Sequence, residues 1–217
     1  EAQTLTDRFQ FIDGRIQALS SEINLRMDTL VSEINGLSTN IATLNNKIAS
    51  SLQRTGQAAP DLLDERDRAL SGLSELVDYN IRENEDGSFD LSMGGGQRLV
   101  SQFTAQTLTT FVSTTNPNAM AVAGKAANSD ISSKITGGEL GGLIDFRTNS
   151  LDPAQAQLGL IATTISASFN AQQALGLDVN GAAGTALFSS TTPAVTAASA
   201  NTGSAVITAT IEDGRAL

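Results

Sequence analysis

Carboxylates are the residues best placed to do chemistry in this 217-residue chain. Asp61, Asp64, Glu65 and Asp67 fall within one turn and a half of a helix. Paired carboxylates can serve as acid and base when one of them is desolvated. Here Arg66 and Arg68 interleave them and the segment is amphipathic, so a solvated face or structural ion pairs explain the cluster better. Glu139 and Asp145, with Arg147 just after, read as capping and pairing groups for the same reason. Gly94-Gly95-Gly96 could cradle a phosphate, but it lacks the GxGxxG and GxxxxGK spacings and strand-like residues follow it. It reads as a hairpin turn. Asp178-Val179-Asn180-Gly181 opens like a calcium loop. An EF-hand needs Gly at the sixth position and a bidentate Glu at the twelfth, where this chain has Ala183 and Ser189.

What is missing narrows the chemistry further. The chain has no Cys and no His. That removes disulfides, thiolate nucleophiles, the commonest general base and the commonest metal ligand. No catalytic set, cofactor or metal site is expected. Net charge is -10, and basic groups are outnumbered in both parts: 7 against 11 acidic over residues 1–77, and 6 against 12 over 78–217. No basic patch suits nucleic acid or an anionic membrane surface. No stretch has the dense apolar run of a membrane-spanning helix, and no secretory signal peptide is visible at the start. Hydrophobic residues make up 40% with only 4% aromatic, so the core is aliphatic.

The elements that must position these groups form an α+β pattern: a long-helix antiparallel bundle with inserted antiparallel β-hairpins and the start of a further β-rich domain. Residues 1–52 read as one helix. Its apolar positions run Ile12, Ile16, Leu19, Ile23, Met27, Leu30, Ile34, Leu37, Ile41, Leu44 and Ile48. From Met27 the spacing is strictly 3,4, the seam of helices that associate. The 4,4 step around Ile23 resembles a stutter. Such a helix spans roughly 75 Å at about 1.5 Å per residue, so it needs partners, from this chain or from another. A linker ending in Pro60 leads to a second helix over 61–77, with Leu62, Leu63, Leu70, Leu73 and Leu76 on one face and Asp64 to Arg68 opposite.

Residues 79–124 change to period two, with a hairpin signal at Asp86-Gly87, and predict two or three antiparallel strands. A third helical stretch covers about 139–175, broken at Leu151-Asp152-Pro153. Val179–Ile211 carries no charge and reads as the start of a β-rich domain.

Three groups of residues, in order, resemble the family of flagellar hook-associated protein 1, the first hook–filament junction protein. The first is Leu62-Leu63-Asp64-Glu65-Arg66-Asp67 with Leu73-Ser74-Glu75-Leu76-Val77-Asp78. The second is Asn84 to Ser88 leading to Gly95-Gly96-Gln97-Arg98-Leu99-Val100. The third is Gly137-Gly138-Glu139-Leu140-Gly141-Gly142-Leu143-Ile144-Asp145-Phe146-Arg147, continuing through Leu151-Asp152-Pro153, Leu158-Gly159, Phe169 to Gln172 and Gly176 to Gly181. The opening Ala2 to Leu5 with Arg8-Phe9 is similar too.

The resemblance implies a secreted, extracellular structural component of the bacterial flagellum with no enzymatic activity. It also implies export by the flagellar type III apparatus and self-assembly into a ring-like segment between hook and filament. Expected partners are other copies of the chain, the hook protein, the second junction protein and, through regions missing here, an export chaperone. Residues 1–186 are expected to be the helical rod domain, and 187–217 the beginning of a truncated outer domain. A flagellin, the second junction protein, or a secreted coiled-coil adhesin or effector are the alternatives.

Overall fold

The computed structural model describes residues 2–114, 116–124 and 130–189. Helix α1 runs Ala2–Thr55 and α2 runs Pro60–Leu76. Six strands follow: β1 Tyr79–Glu83, β2 Phe89–Met93, β3 Gln97–Ser101, β4 Thr104–Ala105, β5 Leu108–Val112 and β6 Met120–Gly124. Helix α3, Gly138–Phe146, passes through a π turn at Arg147–Leu151, and α4 is Asp152–Ala174. Of the described residues, Arg15–Asp152 form one compact unit, and 2–14 with 153–189 form another.

In the larger unit α1 lies along a β-layer and two short helices. Strands β1–β4 make an antiparallel sheet in sequence order, and β5–β6 make a separate hairpin. The expected two or three strands are thus six. One of them, β4, is two residues, too brief for a period-two pattern to register, and the other five have five residues each. The Asp86-Gly87 turn forms as expected between β1 and β2, with Gly87 at φ 74°. The Gly94–Gly96 segment is a tight turn joining β2 to β3. A Cβ on Gly94 would overlap the Lys134 carbonyl oxygen, so only glycine lets that backbone approach.

One aliphatic core fills the unit. Ile23, Met27, Leu30, Ile34 and Ile41 of α1 pack with Leu70 and Leu73 of α2, Leu91 and Leu99 of the sheet, and Leu140 and Ile144 of α3. The seam residues Met27, Leu30, Ile34, Ile41, Leu44 and Ile48 are buried and Leu37 is half-buried. The stripe is wider than a 3,4 seam. Val31, Ser38, Ala42, Asn45 and Ala49 are buried beside it. That is the broad face of a helix covered by a mixed layer, rather than the narrow face covered by one other helix. Farther toward the N-terminus, Ile12 and Leu19 are exposed.

The break in the third helical stretch starts earlier than expected. The amide of Asp152 reaches back five residues to the Arg147 carbonyl, the mark of a π turn. Pro153 next in line has no N–H, and its ring would clash with the carbonyl four residues back in an ordinary helix. Widening the preceding turn relieves that clash.

In the smaller unit, Leu5, Thr6 and Phe9 of α1 and Ala162, Ile165 and Ser166 of α4 line a cavity of about 340 Å³ together with Leu187–Ser189. No residue of α4 is fully buried. Phe169 and Phe188 meet edge to face, 6.0 Å between centroids. The expected β-rich segment from 187 onward lies, after Ser189, outside the described residues.

Candidate functional site

The face of α1 that grips the β-layer is built around three asparagines, each about three helical turns from the next. Asn24 accepts from the Met120 amide at 2.9 Å and donates to the Asn118 carbonyl at 2.8 Å. Asn35 accepts from the Leu108 amide at 2.8 Å and donates to the same residue's carbonyl at 2.9 Å. Asn45 accepts from the Phe89 amide at 3.2 Å and donates to the carbonyls of Phe89 and Gln102, at 2.8 and 2.7 Å. Met120, Leu108 and Phe89 are the first residues of β6, β5 and β2. Backbone groups at a strand's start still need partners when they are buried. Asparagine is suited to this because one side chain offers both a donor and an acceptor. In the smaller unit Asn170 of α4 does the same: it donates to the Phe188 carbonyl and accepts from the Leu187 and Phe188 amides, all at 2.8–2.9 Å.

These asparagines were not singled out from the sequence. The signal was present: Asn24, Asn35 and Asn45 each directly follow a buried seam residue, Ile23, Ile34 and Leu44. A polar residue inside a helix's apolar stripe has to find a partner in the core.

Two arginines of the sequence motifs reinforce the same layer. Arg66 was expected on a solvated, ion-paired face. It is instead only 5% exposed. It donates to the Gly87 carbonyl at 2.7 Å, and its guanidinium lies 3.5 Å over the Phe89 ring. α2 therefore pins the β1–β2 turn to the helix pair. Arg147, 6% exposed, donates to the Met120 carbonyl and to the Met27 sulfur, tying the π turn to β6 and α1. Burial lowers the pKa of both guanidinium groups. Neither makes an ion pair among the described residues.

The remaining motif residues divide by face. Leu73 and Leu140 are buried, and Leu62, Leu63, Leu76 and Leu143 are half-buried. Asp64, Asp67, Gly142, Asp145 and Phe146 are exposed. Gly137 and Gly138 have positive φ, 63° and 59°, where α3 begins. A Cβ on Gly138 would overlap the Leu76–Val77 peptide, and one on Gly137 the Asp78 carboxylate. Gly141 lies against Thr136, where a Cβ would be 2.8 Å from the carbonyl carbon. The glycines thus let the start of α3 press onto the end of α2. Outside, Glu139 forms a bidentate pair with Arg26 of α1, at 2.6 and 2.7 Å. The guanidinium of Arg26 lowers the Glu139 pKa.

The acidic cluster of α2 does not converge. Among the described residues no group of three or more carboxylates is placed to hold a metal ion, and no helix is long and apolar enough to cross a membrane. A cavity of about 470 Å³ lies beside Arg147, with Asp130, Asp145 and Asp152 in its lining. Each of these carboxylates already accepts a hydrogen bond, from the Ser132 amide, Asn149 and Asn116. The arrangement couples a long helix to strands through side-chain clamps.

The model of the flagellar hook-associated protein FlgK helical domain matches residues 1–188. The chain belongs to the FlgK family. It is 32% identical to flagellar hook-associated protein 1 of Escherichia coli K12 over 222 residues, which is 100% of this chain and 41% of that protein. It is 32% identical to the Salmonella typhimurium protein of the same name over 219 residues, 98% of this chain and 40% of the relative. The solved flagellar hook junction protein FlgK from Burkholderia pseudomallei has the same fold, with a TM-score of 0.82 and 36% identity. That match covers 94% of this chain and 37% of the other. The chain spans about two fifths of the length of the curated relatives it matches.

Proposed function

We propose that this chain is the helical part of a structural adaptor at the junction of flagellar hook and filament. The observation that carries the proposal is the fold match to the hook junction protein over 94% of the chain at 36% identity. The clamped α1–β-layer supports it physically. An adaptor between two tubes has to carry load without shearing; three asparagine clamps and the buried Arg147 fix α1 against its strands at points along its length, and Arg66 fixes α2 to the β1–β2 turn. In this reading residues 1–186 belong to the rod domain and 187–217 open an outer domain. The protein is secreted to the outside of the cell and assembles with copies of itself, with hook protein and with the second junction protein. It performs no catalysis.

The test is gold-tagged antibody to this chain on intact cells, viewed by electron microscopy. A single band where hook meets filament supports the adaptor. Label along the whole filament points to a flagellin, and label absent from flagella removes the flagellar role.

A further inference from the structure

Two asparagines in this chain precede glycine, Asn35-Gly36 and Asn180-Gly181. Asn-Gly is the dipeptide most open to intramolecular attack, because glycine has no side chain to hinder its own nitrogen. The fold treats the two differently. Asn35 sits inside α1 with both ends of its amide held by Leu108. The Gly36 N–H is spent on the helix ladder, and helical ψ near about −42° holds that nitrogen away from the Asn35 side chain.

Asn180 lies in an exposed turn, where every residue from Asp178 to Ala183 is open to solvent. The Gly181 amide donates to the Asp178 carbonyl at 3.0 Å. A solvent-exposed turn bond of that kind opens more readily than one in a helix ladder. The Asn180 side-chain amide has only a long contact to Asp178, at 3.5 Å.

We infer that Asn180 is a site of spontaneous deamidation, and that Asn35, with the same following residue, is protected by the clamp. Hydroxide removes the Gly181 amide proton. The nitrogen attacks the Asn180 Cγ, the bond from Cγ to the side-chain nitrogen breaks, and ammonia leaves. Water then opens the cyclic imide at either carbonyl, giving aspartate or isoaspartate. Nothing is oxidised or reduced, and oxygen has replaced NH. The product places a carboxylate in a stretch, Val179–Ile211, that has no charged residue.

The turn itself is held by the Asp178 carboxylate, which accepts from the Asn180 and Ala182 amides at 2.8 and 2.9 Å. Those backbone hydrogen bonds, Ala182's first, lower the pKa of that carboxyl group. Asp178→Ala loosens the turn and should therefore speed the reaction.

The full chain is incubated at mildly alkaline pH, digested, and its peptides are weighed over time. The expected result is a gain of one mass unit confined to the peptide carrying Asn180, at a rate proportional to hydroxide and raised several-fold in Asp178→Ala. Asn180→Gln should abolish it. The Asn35 peptide should gain mass only after urea unfolds the chain. An unmodified Asn180 peptide in the folded chain, when the same peptide free in solution reacts, would overturn the inference. So would equal modification of Asn35 and Asn180 in the folded protein.

Discussion

Asn45 offers the sharpest test of the clamp. Its side chain is fully buried and makes three hydrogen bonds to the backbone of Phe89 and Gln102. Asn45→Ala removes all three, each worth about 1 kcal/mol net, and strands the buried backbone groups they satisfied, at about 1–3 kcal/mol for each that water cannot reach. Phe89 is half-buried, so water recovers part of that loss. The expected destabilisation is about 3 kcal/mol. With a urea slope of about 2 kcal/mol per molar, the unfolding midpoint falls by about 1.5 M in far-ultraviolet circular dichroism.

Asn46, the exposed neighbour, supplies the control: Asn46→Ala should change stability by less than about 0.5 kcal/mol. Asn45→Asp sharpens the test because it keeps the shape and loses the donor. Its carboxylate faces two carbonyls in the core, which disfavours the ionised form and raises the folded pKa above the unfolded one. Stability of that variant is therefore greatest below the unfolded pKa and is lost as pH rises through the folded pKa. A loss below about 0.5 kcal/mol in Asn45→Ala, or an Asn45→Asp protein equally stable at acid and neutral pH, would refute the clamp.

Three further outcomes are expected. Arg66→Ala should cost about 3 kcal/mol by stranding the Gly87 carbonyl and uncovering Phe89, whereas Arg66→Met, which keeps the volume and buries no charge, should cost about 1 kcal/mol; equal losses in urea unfolding would show that the guanidinium's hydrogen bond and charge matter and its packing does not. Gly94→Ala should cost at least about 3 kcal/mol, because its Cβ meets the Lys134 carbonyl. Gly142→Ala, in open space on α3, should instead stabilise by about 0.5–1 kcal/mol, and thermal unfolding of the pair checks the opposite signs. The Asp86 carboxyl is lowered first by the Ser88 hydroxyl, and Glu139 by Arg26. Their contributions are present above the unfolded carboxylate pKa and are lost as pH falls through the lowered folded values. Ser88→Ala should return Asp86 toward its ordinary value and flatten the acid limb of the stability–pH curve, and an unchanged limb would assign the shift to another group.

The sequence by itself determined the classes of element and which side-chain chemistries the chain lacks. Apolar spacing of three and four residues marks α1 because a helix turns every 3.6 residues, and that signal needs no tertiary contact. Asp86-Gly87 marks a turn because left-handed backbone selects glycine. The absence of His and Cys excludes whole chemistries by simple arithmetic. The ordered motifs from Leu62 to Gly181 also pointed to the family that the comparisons show.

Tertiary structure decided what the polar residues are for. Arg66 sits among carboxylates in sequence, yet it folds inward, because its guanidinium fits between the Gly87 carbonyl and the Phe89 ring. Sequence neighbours could not reveal partners 21 and 23 positions away. Asn24, Asn35 and Asn45 read as ordinary polar residues until the strands they hold are in place. Their partners are 44 to 96 residues distant along the chain, and no local pattern encodes that separation. The π turn at Arg147–Leu151 is local in cause, through Pro153, but its use is not: it sets Arg147 against Met27 and Met120, which only the folded layer brings together.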